Sequence, residues 1–136
     1  MLKKFDFITP PIGKEISTSD QFYHYMRDVV LESDAAKVES IVYVWHTEAE
    51  FYRMKGKSNI LYIGKTVNSL RDRYRNKNSL EIEKEYFSVY YKYAVEAYGP
   101  IKIGIINSEE PELDEKKLLL EYRDKHKELT PLNRKV

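Results

Sequence analysis

Two short runs of β-branched and aromatic residues, Ile41 to Trp45 and Ile60 to Ile63, flank a polar stretch with turn chemistry at Gly56-Lys57-Ser58-Asn59. Such runs favour strands, and two so close in sequence pair most simply as antiparallel neighbours. Strand alternation puts Tyr43 on a face with Ile41 and Trp45, and Tyr62 on a face with Ile60 and Gly64, so pairing can bring the two phenols side by side. Gly64 is expected to end the second strand. Ser69-Leu70-Arg71-Asp72 has the spacing of a helix start, a hydroxyl followed three residues on by an acid.

The remaining segments fill in a small mixed domain. Residues 1–18 read as an arm, because Thr9-Pro10-Pro11-Ile12-Gly13 resists regular structure. Ser19 or Asp20 can cap a helix to about Ser33, with Phe22, Tyr25, Met26, Val29 and Val30 at helical spacing. Residues 80–98 look helical and are crowded with tyrosines, a stripe suited to core and rim or to stacking on bases. Gly99-Pro100 halts that helix, Ile101 to Ile106 reads as a third strand, and Glu112 to about Glu128 as a final helix. The expected fold is mixed α/β: a small antiparallel three-stranded sheet flanked by helices. The arm and first helix cover 1–39 and the rest of one compact unit covers 40–136.

With 136 residues, 42% of them hydrophobic and 33% charged, the chain has the composition of one globular domain. It has no cysteine, which excludes disulfides and zinc-thiolate sites. No apolar stretch approaches the ~20 residues of a membrane span. The start, Met1-Leu2-Lys3-Lys4-Phe5-Asp6, lacks the apolar run of a secretory signal, so a cytoplasmic protein is expected. The net charge of +1 is uninformative, but its distribution is not. Arg53, Lys55, Lys57, Lys65, Arg71, Arg73, Arg75 and Lys77 face a single acid, Asp72, within their stretch. A basic segment of this kind suits a phosphate backbone; a solvated hairpin and helix surface accounts for it equally well.

Candidate chemistry lies around the two phenols. A glycine at position 64 allows close approach of a ligand backbone. Arg73 lies four residues past the cap at Ser69, and Lys77 is expected one turn further along the same face. Glu121 stands in the apolar stretch Leu118-Leu119-Leu120-Glu121-Tyr122, either as a surface acid or as a lone carboxylate for Mg²⁺. Asn133, after Thr130-Pro131, can hydrogen-bond a tyrosine or a phosphate. His24, His46 and His126 are scattered and carry no multi-ligand spacing.

This pattern resembles the GIY-YIG nuclease family over roughly residues 40–134. Ile41-Val42-Tyr43 stands where that family has Gly-Ile-Tyr, and Leu61-Tyr62-Ile63-Gly64-Lys65-Thr66 matches its second motif. Asn68 to Arg73 matches the segment ending in the family's arginine, Glu121 takes the place of its metal-binding glutamate, and Pro131-Leu132-Asn133 that of its asparagine. Two departures stand out: Ile41 replaces a glycine, and Lys77 occupies the place of a frequent histidine, either substituting for it or impairing catalysis.

The resemblance implies a DNA endonuclease, of restriction, phage or mobile-element type, with one Mg²⁺ or Mn²⁺ on Glu121. Tyr43 would deprotonate the attacking water, Tyr62 orient it, Arg73 neutralise the transition state, and Lys77 and Asn133 assist. Gly64, Lys65, Arg71, Arg75, Lys55 and Lys57 would contact the DNA, with dimerisation one route to specificity. A catalytically silent nucleic-acid-binding or protein-interaction module on the same fold is the alternative, and a mixed α/β protein with no nucleic-acid role a third reading.

Overall fold

The structure, a computed structural model, describes residues 4–8 and 10–136. The expectations for Met1 to Lys3, and for Thr9 in the proline-rich break, lie outside these.

Strands β2 (Ile41–Tyr52) and β3 (Lys57–Thr66) form the antiparallel hairpin that the two apolar runs predict, but both run further. Most of the polar connection is therefore strand, and only residues 53–56 turn, with Gly56 at φ 74°. Register shifts on either side of His46 allow this, for bulges absorb the mismatch while Thr47, Phe51 and Ser58 stay buried. Gly64 does not end β3; it pairs with Tyr43, and the strand continues through Lys65 and Thr66.

The sheet has four strands rather than three. Strand β4 (Lys102–Asn107) pairs antiparallel with β2, and the short β1 (Asp6–Phe7) pairs antiparallel with β4, giving the order β1-β4-β2-β3. The expected arm is thus part of the domain. Phe5, Ile8, Ile12 and Ile16 are buried, and Ile12 bridges Ile101. Prolines 10 and 11 shorten the pairing without preventing the burial.

The sheet is sandwiched between helices. Helix α1 (Ser19–Tyr25) is capped by Thr18, one residue earlier than expected, in a reciprocal bond pair with Gln21, and runs on as a π-helical turn over Met26–Val30. Helix α2 (Leu70–Arg75) starts at the Ser69 cap, whose Oγ accepts from the Asp72 N–H at 3.1 Å. Helix α3 (Lys77–Tyr86), a π-helical turn (Phe87–Tyr91) and α4 (Lys92–Tyr98) form one continuous rod, closed by Gly99 at φ 88°. These cover the sheet face carrying Ile41, Tyr43 and Trp45. Trp45 stacks on Tyr91 and Phe22 on Phe87, each at 4.8 Å between ring centroids. Such pairs add about 0.5–1.5 kcal/mol apiece beyond their buried area. Helix α5 (Pro111–His126) covers the opposite face, where Leu119 and Tyr122 meet Val42, Val44 and Ile63. Among the described residues no helix is long and apolar enough to cross a membrane.

Candidate active site

Because β3 is an edge strand, its outer side is open between the helical layers, and a cleft of about 410 Å³ lies there. Tyr62 of β3, Arg73 and Tyr74 of α2, Glu83 of α3, Glu115 of α5 and Asn133 of the C-terminal tail contribute to its walls.

Tyr43 and Tyr62 do come together, with ring centroids 6.1 Å apart. The contact depends on Gly64, directly across the hairpin from Tyr43. A Cβ on residue 64 would stand 2.5 Å from Tyr43 Cζ and 2.7 Å from Tyr62 Cε2, so only glycine leaves room for both rings. The close approach that glycine permits is therefore to the protein's own phenol.

The two phenols differ in access. Tyr43 is 1% exposed, and its hydroxyl accepts a hydrogen bond from the Tyr74 hydroxyl at 3.3 Å. It stands behind the cleft wall, and burial, helped by Tyr62, pushes its hydroxyl well above the ordinary tyrosine range. Tyr62 is partly exposed and lines the cleft. Burial and the Glu115 carboxylate raise its phenol, while Arg73 acts in the opposite sense. Tyr43, the expected base for the attacking water, is thus buried, and of the two phenols Tyr62 is the one that opens to the cleft.

Arg73 closes the other wall. Its guanidinium lies 5.8 Å from the Tyr74 ring centroid and faces the phenols of Tyr43, Tyr74 and Tyr62. Partial burial works against its charge, but those phenols outweigh that and hold it firmly protonated.

Lys77 does not follow on the same face. Helix α2 stops at Arg75, Asn76 is extended at φ −61° and ψ 129° and caps a new helix, and Lys77 opens that helix outside the cleft walls. The continuous helix assumed from spacing is broken between the two cations.

Glu121 also lies elsewhere. It is exposed and borders two other pockets of about 430 and 370 Å³, beside Asp114 and Lys117 on one side and Lys125 on the other. The carboxylate that α5 sends to the cleft is Glu115. Helical spacing explains the difference: 115, 119, 122 and 126 form one stripe, and Leu119, Tyr122 and His126 are its buried members. Burial raises the Glu115 carboxyl above its ordinary range, with Lys65 opposing.

Asn133 reaches the cleft, but its amide is engaged. Oδ1 accepts from the Ile63 N–H at 2.9 Å and Nδ2 donates to the Ile63 carbonyl at 2.9 Å. Leu132 N–H donates to the Leu61 carbonyl at 3.0 Å, so the tail lies along the edge of β3. Asn133 fixes the tail to the strand rather than pointing at a phenol or a ligand.

Glu83 is a cleft residue that no motif marks. Its Oε2 accepts from the Tyr91 hydroxyl at 2.6 Å, and burial raises its carboxyl while Tyr91 and Arg73 pull it back. The signal was present in the sequence, since 80, 83, 87 and 91 form one stripe and Leu80, Phe87 and Tyr91 are buried along it.

The basic segment does not make one face. Arg53 donates to the Leu129 carbonyl and pairs with Glu128 at 3.3 Å, and Arg71 pairs with Glu32 at 3.3 Å. Lys55 and Lys57 lie at the hairpin turn, about 26 Å along β3 from Lys65 at the strand's rise per residue. Arg75 is exposed, and Lys65 is half-buried near Glu115.

Two carboxylates, Glu83 and Glu115, line the cleft. Among the described residues no three His, Cys, Asp or Glu side chains converge as a metal cage. Half-buried carboxylates at an open cleft are donors that Mg²⁺ accepts, since it keeps most of its waters and takes phosphate oxygens from a substrate. Comparison with known proteins adds no neighbour: no family model matches this chain, and no curated protein or solved structure matches it.

Proposed function

We propose that this protein is a divalent-metal-dependent DNA endonuclease of the GIY-YIG kind. One observation carries the reading: Tyr62, Arg73 and Glu115, from three separate elements, converge on one cleft whose inner wall backs onto the Tyr43–Gly64 contact. A phenol, a guanidinium and a carboxylate are the groups that hydrolysis of a phosphodiester can use.

In this reading the phosphate sits against Arg73, whose fork of donors binds two of its oxygens and neutralises the charge that grows as water adds to phosphorus. The new P–O bond forms as the bond to the 3′-oxygen breaks. Tyr62 orients the water and takes its proton. That proton transfer requires phenolate, which burial disfavours, so the cationic charge of Arg73 beside it is part of the same device. Glu115 would hold Mg²⁺ or Mn²⁺, which supplies Lewis-acid stabilisation of the departing oxygen. Tyr43 and Tyr74 act as positioning residues through their mutual hydrogen bond.

Incubation of supercoiled plasmid with the protein and Mg²⁺ or Mn²⁺ tests this. Nicked or linear product, dependent on metal and lost in Arg73→Ala and Glu115→Gln, supports the assignment. A catalytically silent binding module is the second reading, favoured by the position of Lys77 outside the cleft. DNA shifted in a gel and never cut, across plasmid, branched and single-stranded substrates, would establish it instead.

A further inference from the structure

The cleft does not end at Asn133. Past Arg134 and Tyr86 it continues over Tyr90 and Leu132 into a groove of about 260 Å³ between the hairpin and the α3–α4 rod. The walls of this groove are aromatic: Tyr52 on one side, Tyr90, Tyr93 and Tyr98 on the other, with Phe51 in the floor. Part of that surface has no role in the core, for Tyr52 is 79% and Tyr93 64% exposed.

The π-helical turn contributes to this arrangement. It carries Phe87 and Tyr91 into the core while Tyr90, between them, is left facing outward. π-helical turns interrupt a regular helix at a cost and are concentrated at functional sites.

We infer that this groove is a subsite for unpaired nucleotides, and that the substrate reaches the cleft as a single-stranded segment or a strand opened next to the scissile phosphate. The inference rests on the nuclease reading for its polarity, from stacked base to hydrolysed phosphate, but concerns a separate surface. Three observations favour nucleic acid over an apolar partner. The exposed walls are mostly tyrosines, whose flat faces accept any base while their hydroxyls remain wet. Cations border the same path, with Arg53 in the groove wall, Arg134 at the junction and Arg73 in the cleft. The groove and the cleft also share lining residues, Tyr91 and Leu132, so one strand can occupy both.

The test uses the full chain in EDTA, so that nothing is cut, with fluorescein-labelled oligothymidylate and a duplex of the same length as probes for anisotropy. The wild type is expected to bind oligothymidylate more tightly than the duplex. The double variant Tyr52→Ala, Tyr93→Ala, two exposed positions whose loss leaves the core intact, should weaken oligothymidylate binding by about five- to 100-fold. It should change duplex binding far less. Tyr93→Phe should bind as wild type, because stacking needs the ring and not the hydroxyl. Equal affinity for the two probes, or unchanged oligothymidylate binding in the double variant, overturns the subsite. So does a double variant that keeps its oligothymidylate affinity but converts a dimer to a monomer in sedimentation, which would assign the groove to a second copy of the chain. Duplex cleavage without single-strand preference defeats the subsite and spares the nuclease; tyrosine-dependent oligothymidylate binding without any cleavage does the reverse.

Discussion

The side-chain amide of Asn133 holds the peptide of Ile63 from both ends, accepting from its N–H and donating to its carbonyl, each at 2.9 Å. It does for the edge of β3 what a neighbouring strand would do, and it sets the tail that forms one cleft wall. Asn133→Ala should lower stability by about 1–3 kcal/mol, since two backbone groups lose their partner. Asn133→Asp should recover part of this, because a carboxylate keeps the acceptor and loses the donor. Urea denaturation measures both, and cleavage should fall in step with the loosened tail; a stable Asn133→Ala protein would mean the tail is held elsewhere.

At the hairpin, Gly64→Ala is expected to cost about 1–3 kcal/mol through overpacking against Tyr43, which is too buried to move freely. Thermal unfolding reads the loss. Because the displaced ring supports Tyr62, cleavage by the folded fraction should drop as well, and a fully active Gly64→Ala enzyme would disconnect the Tyr43–Tyr62 contact from function.

The carboxylates on α5 give the sharpest contrast. Glu115→Gln should abolish metal-dependent cleavage and weaken Mn²⁺ binding, measured by calorimetry, whereas Glu121→Gln should leave both within a few-fold of wild type. The opposite pattern would restore Glu121 as the metal residue and remove Glu115 from the site.

These two glutamates show what the sequence made legible and what it did not. Motif spacing placed the pair of phenols, the Ser69 cap and Arg73 correctly, because each depends on contacts within a hairpin or a single helical turn. Glu121 stands out by its apolar neighbours and its place in the family pattern, yet the buried stripe of α5 runs through 119, 122 and 126, and Glu115 lies on that stripe. Lys77 leaves the face of Arg73 for a related reason: the helix breaks at Asn76, whose side chain caps a new one. The fourth strand escaped because β1 is two residues long and is defined by its partner β4, not by its own pattern.

Alkaline pH should expose the buried phenols in two ways. Tyr43, Tyr74 and Tyr91 are all raised by burial, so the fold favours their neutral forms. The stability this confers is present below about pH 10, where unfolded tyrosine titrates, and is lost as pH climbs through the higher folded values. Unfolding followed by circular dichroism should therefore begin above about pH 10. Below that, cleavage should rise about tenfold per pH unit if Tyr62 must lose its proton; a flat profile from pH 7 to 9 would exclude phenolate as the base.

Glu83 carries the reverse opportunity. Burial raises its carboxyl, so folding favours the protonated form; that contribution is present below its unfolded value and is lost as pH rises through the folded one. Glu83→Gln should accordingly raise the melting temperature at pH 7 by a few degrees and have little effect near pH 4. A destabilised variant at neutral pH would show instead that the charge is needed, by Tyr91 or by Arg73.

The pairing of β1 with β4 joins Asp6 to Ile105 across roughly a hundred residues of chain. The burial of Ile8 and Ile12, bonded to Ile103 and Ile101, therefore depends on closing one long loop of the chain. The β2–β3 hairpin closes over a few residues while the β1–β4 pair spans most of the chain, so the larger loop-closure entropy falls on the N-terminal strand.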